Sequence, residues 1–384
     1  MKNMEEKKVK NIIVSVILLI CFMITIVISA FYTQNMDFRN WIDLNIFRKI
    51  VTEHKVAEII LDSDSNPNVY AYSRYITVLT GNELETYNQN GQKEHLTNIN
   101  ISNPIYNSSG EYLVIADSGK NQVYLISGKN IIWETEIEGS ISDVYVNKNG
   151  YVVLTIVNTS YKTVVSVYNP NGKELFKKYL ATTSVVDVEI SDDNTYLAIA
   201  EIDTSGILIQ SKVEIISIEK AQKNDSGSVV HTHNSKQGNM IISINYNNRN
   251  YLTCMYDNSI YVIKNFEEEL LLELNSKTDV FASVDLKNNV FKIQENSSEL
   301  NNSEIHIKSI FNKRENIYTI DSAIKQIAYY EDIIGVNIGT ETYLLNTSGY
   351  LIKKYTSEKE IKNIVLTERI ATIVYSEKIK IVNL

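Results

Sequence analysis

Two histidines one residue apart are the strongest candidates for chemistry in this sequence. His231 and His233, separated by Thr232, would share one face of a strand and could begin a metal site. No cysteine and no acidic cluster accompanies them beyond Asp225, and two ligands fall short of a site; the pair also reads as part of a polar surface loop. Asp62–Ser63–Asp64–Ser65–Asn66 has the look of a calcium loop at its start. Pro67 stands where such a loop needs glycine, and Ser73 where it needs a bidentate glutamate, which favours a plain turn. His54, His95 and His306 are isolated, and Glu267–Glu268–Glu269 reads as an exposed outer hairpin. There is no glycine-rich phosphate loop, no G-x-S-x-G elbow and no Ser/His/Asp arrangement with supporting context. Paired glycosidase carboxylates can lie far apart in a chain, so the sequence leaves them open. The expectation is no catalytic residue, no cofactor and no metal site, with His231 and His233 as binding candidates.

Composition narrows the partners. The formal net charge is -9, and nothing like a basic stripe is present, which excludes a nucleic-acid binder of the usual kind. Acidity of this size is a property of solubility before it is a binding surface. The two cysteines are Cys21 and Cys254; the first lies in an apolar N-terminal run, so the rest of the chain can form no internal disulfide and holds no CxxC zinc pattern. Cys254, within the apolar run Tyr251–Tyr256, reads as an inert core residue.

Ile12 to Phe31 is a run of about twenty uncharged residues, long enough to span a bilayer at about 1.5 Å per residue. Lys2, Lys7, Lys8 and Lys10 precede it and favour a cytoplasmic N-terminus. Ile28–Ser29–Ala30 offers a signal-peptidase site, yet the apolar run exceeds the roughly 7–15 residues of a cleaved signal. Leu18–Leu19–Ile20–Cys21 lacks the small residue that lipidation requires before the cysteine. The layout expected is a cytoplasmic tail over 1–11, a transmembrane helix over 12–32, a juxtamembrane stalk over 33–54 carrying Trp41, and an extracellular domain over 55–384.

That domain is a repeat. Apolar runs begin at Tyr75, Tyr112, Tyr151, Tyr196, Tyr251, Val290, Ile333 and Ile370, at intervals between 37 and 55 residues. The runs alternate with period two or are briefly all apolar, which selects strands over helical repeats. A period near forty with four short strands per unit is the signature of a β-propeller. The strands read as inner (Ile141–Val146, Val185–Ile190), second (Tyr112–Ala116, Tyr196–Ala200), third (Val123–Ile126, Val213–Ile218) and outer (Ile131–Ile137, Glu174–Leu180), with the inner strands buried on both faces and the outer one wet. Gly (14) and Pro (3) are scarce, so Asn takes over much of the turn chemistry, as in Asn88–Gly91, Asn169–Gly172 and Asn346–Gly349. The C-terminus supplies three strands and no fourth; Lys55–Leu61 can pair there and close the ring. Eight blades follow from the count; a misread unit around Phe281–Thr319 would leave seven.

The segments Val123–Gly128 with Ile131–Trp133, and Val167–Gly172 with Leu175–Phe176, resemble quinoprotein-like and WD40-like propeller repeats, in which an aromatic after the Gly turn docks between blades. Only Trp133 is a tryptophan here; Phe176 or aliphatics stand elsewhere. The whole layout also resembles an uncharacterised family of membrane-anchored propellers from clostridia and other Gram-positive bacteria, which implies the architecture and no activity. The functional expectation is a binding or scaffolding module for an envelope protein or cell-wall component. The alternative is a propeller enzyme, a quinone-dependent dehydrogenase or a hydrolase, working through the central channel. Specificity is expected where the repeat is broken, chiefly Glu219–Asn239, which lengthens the fourth unit.

Overall fold

A computed structural model describes residues 2–34, 42, 56–62, 67–158, 160–235, 238–247, 251–296 and 302–384. Of the expected stalk, residues 35–41 with Trp41 and 43–54 with His54 lie outside that set, as do residues 63–66 of the Asp62 segment. Helix α1 runs over Lys2–Gln34. Within it Val14–Thr33, 20 residues, is apolar and long enough to cross a membrane, and none of it is buried against the rest of the chain.

The remainder forms eight separate four-stranded antiparallel sheets. These blades occupy residues 68–98, 104–136, 140–180, 184–234, 241–273, 279–320, 326–356 and, for the eighth, 363–383 with an added strand. The weak sixth unit is a complete blade, ending in strands Asn302–Ser309 and Glu315–Ile320. Blade 8 is completed from the other end of the chain: Val56–Ile60 pairs antiparallel with Lys378–Asn383, from Val56↔Val382 to Ile60↔Lys378. Its last inner-blade bond is followed by Leu61 N–H donating to the Glu377 carbonyl at 2.9 Å.

The period-two alternation explains how such a ring holds together. In the second strand of blade 3, Val152–Val157, the side chains of Val152, Leu154 and Ile156 face blade 2 and join Leu125 and Val123 in one cluster. Val153, pointing the other way, joins Leu197 and Ile199 of blade 4. Every second strand therefore has two apolar faces, one for each neighbouring blade, and each apolar cluster straddles two consecutive blades. The second strands are consequently the most buried, as in Leu252–Tyr256 and Ile370–Val374, and in blade 3 the third strand, Thr163–Tyr168, is buried throughout as well. The inner strands differ from the expectation of burial on both faces: Ser140–Val146 and Ser184–Ile190 are only partly buried, because one side of each lines the central channel.

Turn chemistry follows the asparagines. Asn169 Oδ1 accepts from the amides of Asn171 and Lys173, both at 3.0 Å, and Asn346 Oδ1 accepts from Ser348 and Tyr350 at the same distance. In blade 5 the missing glycine is replaced by Asn265 and Phe266, both at positive φ (51° and 68°). The aromatic after the Gly turn docks as expected: Trp133, on the outer strand of blade 2, stacks on Tyr168 of blade 3 with centroids 5.8 Å apart. Gly172 of the blade 3 hairpin has φ +79°, and a Cβ there would meet Trp133 Cγ at 2.8 Å. Gly172→Ala is therefore expected to cost about 2–4 kcal/mol, combining backbone strain with overpacking. Gly128→Ala should cost about 1 kcal/mol, since it pays for backbone conformation alone, with nothing nearer than 3.7 Å to its Cβ. Denaturant unfolding of the two variants measures the difference.

Candidate functional site

Turns between inner and second strands gather on one face of the ring, together with those between third and outer strands. On that face the channel widens into a cavity of about 400 Å³. Its wall is built from the ends of the inner strands of blades 2 to 7. Tyr145, Glu189, Asn245, Asp285 and Tyr329 line it, and each is the penultimate residue of its inner strand in blades 3, 4, 5, 6 and 7. The repeat thus delivers one polar side chain per blade to the same height in the channel.

Inner-strand side chains also stitch consecutive blades. Asn107 Oδ1 of blade 2 accepts from the Val146 amide at 3.1 Å. The Tyr145 hydroxyl donates to Glu189 Oε2 at 2.8 Å, and Asp187 Oδ2 accepts from the Ile244 amide of blade 5 at 2.9 Å. Asn245 Nδ2 donates to the Val284 carbonyl at 2.7 Å, and the Tyr329 hydroxyl to Asp285 Oδ2 at 2.8 Å. Gln326 Oε1 accepts from the Ile364 amide at 3.2 Å, carrying the series to blade 8. Above this ring, at the mouth, Lys148 pairs with Asp192 at 2.7 Å and Lys287 pairs with Glu331.

The electrostatics are uneven. At the mouth the lysines have carboxylate partners, whereas Asp187, Glu189 and Asp285 below them accept from amides and hydroxyls. Burial, then the charge of Asp187, raises Glu189 well above the ordinary carboxyl range. Burial likewise pushes Asp187 up to about 7, against amide donors that pull it down, with Asp285 and Asp143 adding to the rise. Asp143 is raised by burial. Tyr145 is lifted far above its normal range by burial and by Glu189. Such a wall offers hydroxyls, amides and carboxyls at hydrogen-bonding distance to a guest, and favours protons or positive charge over anions.

The sequence candidates lie elsewhere. His231 and His233 sit on the outer strand of blade 4, Val229–Asn234, and so belong to the sheet and not to a loop; they pair with Ile215 and Val213. The stretch Glu219–Asn239 therefore contains this strand, preceded by the short helix α2, Ile218–Gln222, which Ser217 caps. The two rings are 4.2 Å apart between centroids, and His231 stacks on Phe266 of blade 5 at 5.1 Å. Burial and the neighbouring His231 hold His233 below the usual histidine range. Among the described residues no group of three His, Cys, Asp or Glu side chains is placed to hold a metal ion. His306, isolated in sequence, has Nδ1 2.9 Å from Glu315 Oε1 and Nε2 3.3 Å from Glu304 Oε2, because strand pairing brings distant residues together. His95 is exposed on the outer strand of blade 1. Cys254 is fully buried, and burial pushes its thiol far above the reactive range. Glu269 of the acidic hairpin pairs with Lys264 at 3.1 Å and with Lys313.

The channel ring was missed because its members have no local motif. Their signal is positional: they occupy one aligned column of the repeat, and a polar residue recurs in that column in blades 3 to 7.

BamB and AztD are among the solved structures that share this architecture. BamB from Moraxella catarrhalis is 10% identical, with a TM-score of 0.51 over 87% of this chain and 100% of its own. Apo AztD from Citrobacter koseri is 13% identical, with a TM-score of 0.50 over 82% of this chain and 98% of its own. At such identity the likeness is one of fold. No curated protein matches the sequence. Residues 47–384, which take in every strand of the propeller, match a family of unknown function, and the chain belongs to that family, DUF5711.

Proposed function

We propose that this protein is a membrane-anchored, extracytoplasmic propeller that acts as a binding or scaffolding module for an envelope protein or a cell-wall component. The observation that carries the reading is the channel-mouth cavity, a rigid polar recess about 400 Å³ in volume framed by six blades. The apolar helix Val14–Thr33 supports the anchor, and the lysines before it support a cytoplasmic tail over 1–11 and an external propeller. His231 and His233, with Phe266 beside them, form a second, smaller contact surface on the rim.

The test is affinity capture with the full chain from cross-linked envelope membranes. The wild-type chain should enrich a discrete protein or glycan. Reversing the mouth charges with Lys148→Glu and Lys287→Glu should lower that enrichment about tenfold, equivalent to about 1.4 kcal/mol. Equal recovery by wild type and an unrelated membrane-anchored control would end the reading. Undiminished recovery by the double variant would move the contact away from the channel mouth, and His231→Ala with His233→Ala then tests the rim.

A further inference from the structure

The face opposite the cavity gathers the turns between second and third strands and the connections from one blade to the next. Exposed apolar side chains collect there on one side of the ring: Ile207, Leu208 and Ile209 in the second-to-third turn of blade 4, Met240 and Ile242 where blade 5 begins, and Val280 where blade 6 begins. Ile207 is fully exposed. On blade 3, Tyr161 and Tyr179 are exposed as well, with ring centroids 4.8 Å apart. Lys162, next to Tyr161, donates from Nζ to Thr204 Oγ1 at 3.3 Å, so the turns of blades 3 and 4 stand side by side. The Ile241 amide donates to Ser211 Oγ at 3.0 Å, which sets Met240 at the foot of the same hairpin. The acids on this side are engaged. Asp203 Oδ1 accepts the amide and hydroxyl of Ser205 at 2.8 and 2.6 Å, Asp257 Oδ1 accepts the Met240 amide at 3.3 Å, and Asp279 pairs with Lys292 at 3.1 Å. Across the ring, blades 8 and 2 present the ion pairs Lys359–Glu377 and Lys120–Asp117 on that face instead.

We propose that the Ile207–Ile209 tip, with Tyr161, Tyr179 and Lys162 beside it, is a lipid-docking edge that dips into the surface of the bilayer holding the chain's anchor and so turns the cavity away from the membrane.

The docking rests on the membrane anchor proposed above. Three consecutive aliphatic side chains at the end of a hairpin make a protruding tip, which enters lipid without a complementary pocket; a protein partner would have to supply one. Tyrosines and a lysine around such a tip suit the headgroup layer, where amphipathic rings and long cationic side chains settle. Residues 35–55 join helix α1 to the closing strand and are long enough to reach about 70 Å at full extension. They meet that strand at Val56, the end nearer the cavity face, so the joining segment has to pass a blade depth of about 20 Å, well within its reach. The tether holds the tip at high local concentration near lipid, so an edge too weak to bind from solution is sufficient. It also offsets the repulsion between a chain of net charge -9 and an anionic bilayer.

The experiment places the full chain in phosphatidylcholine nanodiscs, with and without bromine on the lipid acyl chains, and reads tryptophan emission. Tyr161→Trp puts a probe at the edge while leaving the aliphatic tip intact. Leu96→Trp, on the outer strand of blade 1, is the control, and the wild-type signal of Trp41 and Trp133 is subtracted. Brominated lipid should quench Tyr161→Trp at least about twofold and leave Leu96→Trp unchanged. Adding Ile207→Ser and Ile209→Ser should remove that quenching. An unquenched Tyr161→Trp overturns the edge, and so does quenching that survives the two serine substitutions. A blue-shifted emission that brominated lipid does not touch overturns it too, since a protein surface such as a second copy then covers the tip. Alkaline carbonate extraction of cell membranes carrying the same chain reports on the anchor separately: a retained chain with an unquenched probe loses the edge and keeps the anchor, and a released chain loses both.

Discussion

Ile59→Asp is expected to abolish the single cooperative unfolding transition of the propeller near neutral pH, whereas Ile60→Asp, its neighbour on the same strand, should change stability by no more than about 0.5 kcal/mol. Both residues belong to the strand Val56–Ile60 that closes the ring. Ile59 is 3% exposed and lies in a cluster with Val69 and Val78 of blade 1 and Ile379 and Ile381 of blade 8. Ile60 is 75% exposed. Removing the Ile59 side chain forfeits about 2–3 kcal/mol of burial, and an unpaired carboxylate in its place adds several more. The total approaches the whole stability of an ordinary domain, about 5–15 kcal/mol. Losing the strand also exposes the edge of Lys378–Asn383, a template for association between chains. Circular dichroism melts with light scattering distinguish the outcomes. Identical cooperative melts for the two variants would show that the ring does not depend on its closing strand.

Lys212→Ala is expected to destabilise the junction of blades 3 and 4 by about 3–5 kcal/mol above neutral pH, because it takes the cation away from the buried carboxylate of Glu201. Glu201 is fully buried, and its Oε2 accepts the Thr183 hydroxyl at 2.5 Å while lying 3.2 Å from Lys212 Nζ. Lys212 also holds Glu214 at 2.6 Å, and Glu214 reaches Lys178 of blade 3 at 3.0 Å. Burial raises the Glu201 carboxyl above its ordinary value even with Lys212 present, against the pull of Thr183 and Lys212. Glu214 is driven upward by burial too, yet Lys212 and Lys178 together bring it below its ordinary value. The sign follows. A raised Glu201 contributes stability that is present in acid and lost as pH rises, so the deficit of Lys212→Ala should shrink as pH falls and Glu201 takes up a proton. Adding Glu201→Gln should restore much of the loss at high pH, since it removes the stranded charge. Denaturant midpoints at two pH values check this, and a deficit independent of pH would place the cost in packing and not in charge.

The anchor candidate, the four-stranded repeat and the ring were legible in the residues alone. Apolar runs recurring at a period near forty can only be buried by stacking one unit on the next, and the eighth unit, with three strands of its own, has room for a fourth. Lys55–Leu61 was readable as that strand because no other apolar run was left unassigned. Asn169 and Asn346 were likewise legible, since their turn chemistry is local. Where polar side chains meet, by contrast, depends on closure of the ring. The penultimate residues Tyr145, Glu189, Asn245, Asp285 and Tyr329 look unremarkable along the chain, and only closure of the ring turns one column of the repeat into the wall of a channel. His306 and Glu315 follow the same rule on a smaller scale, brought together by strand pairing. The His231–His233 pair runs the other way. Its spacing was conspicuous in sequence, yet the fold puts it on the rim between blades 4 and 5, because outer strands face away from the axis. Periodicity reports which side of a strand is apolar; it carries no information about which distant polar side chains will line one channel.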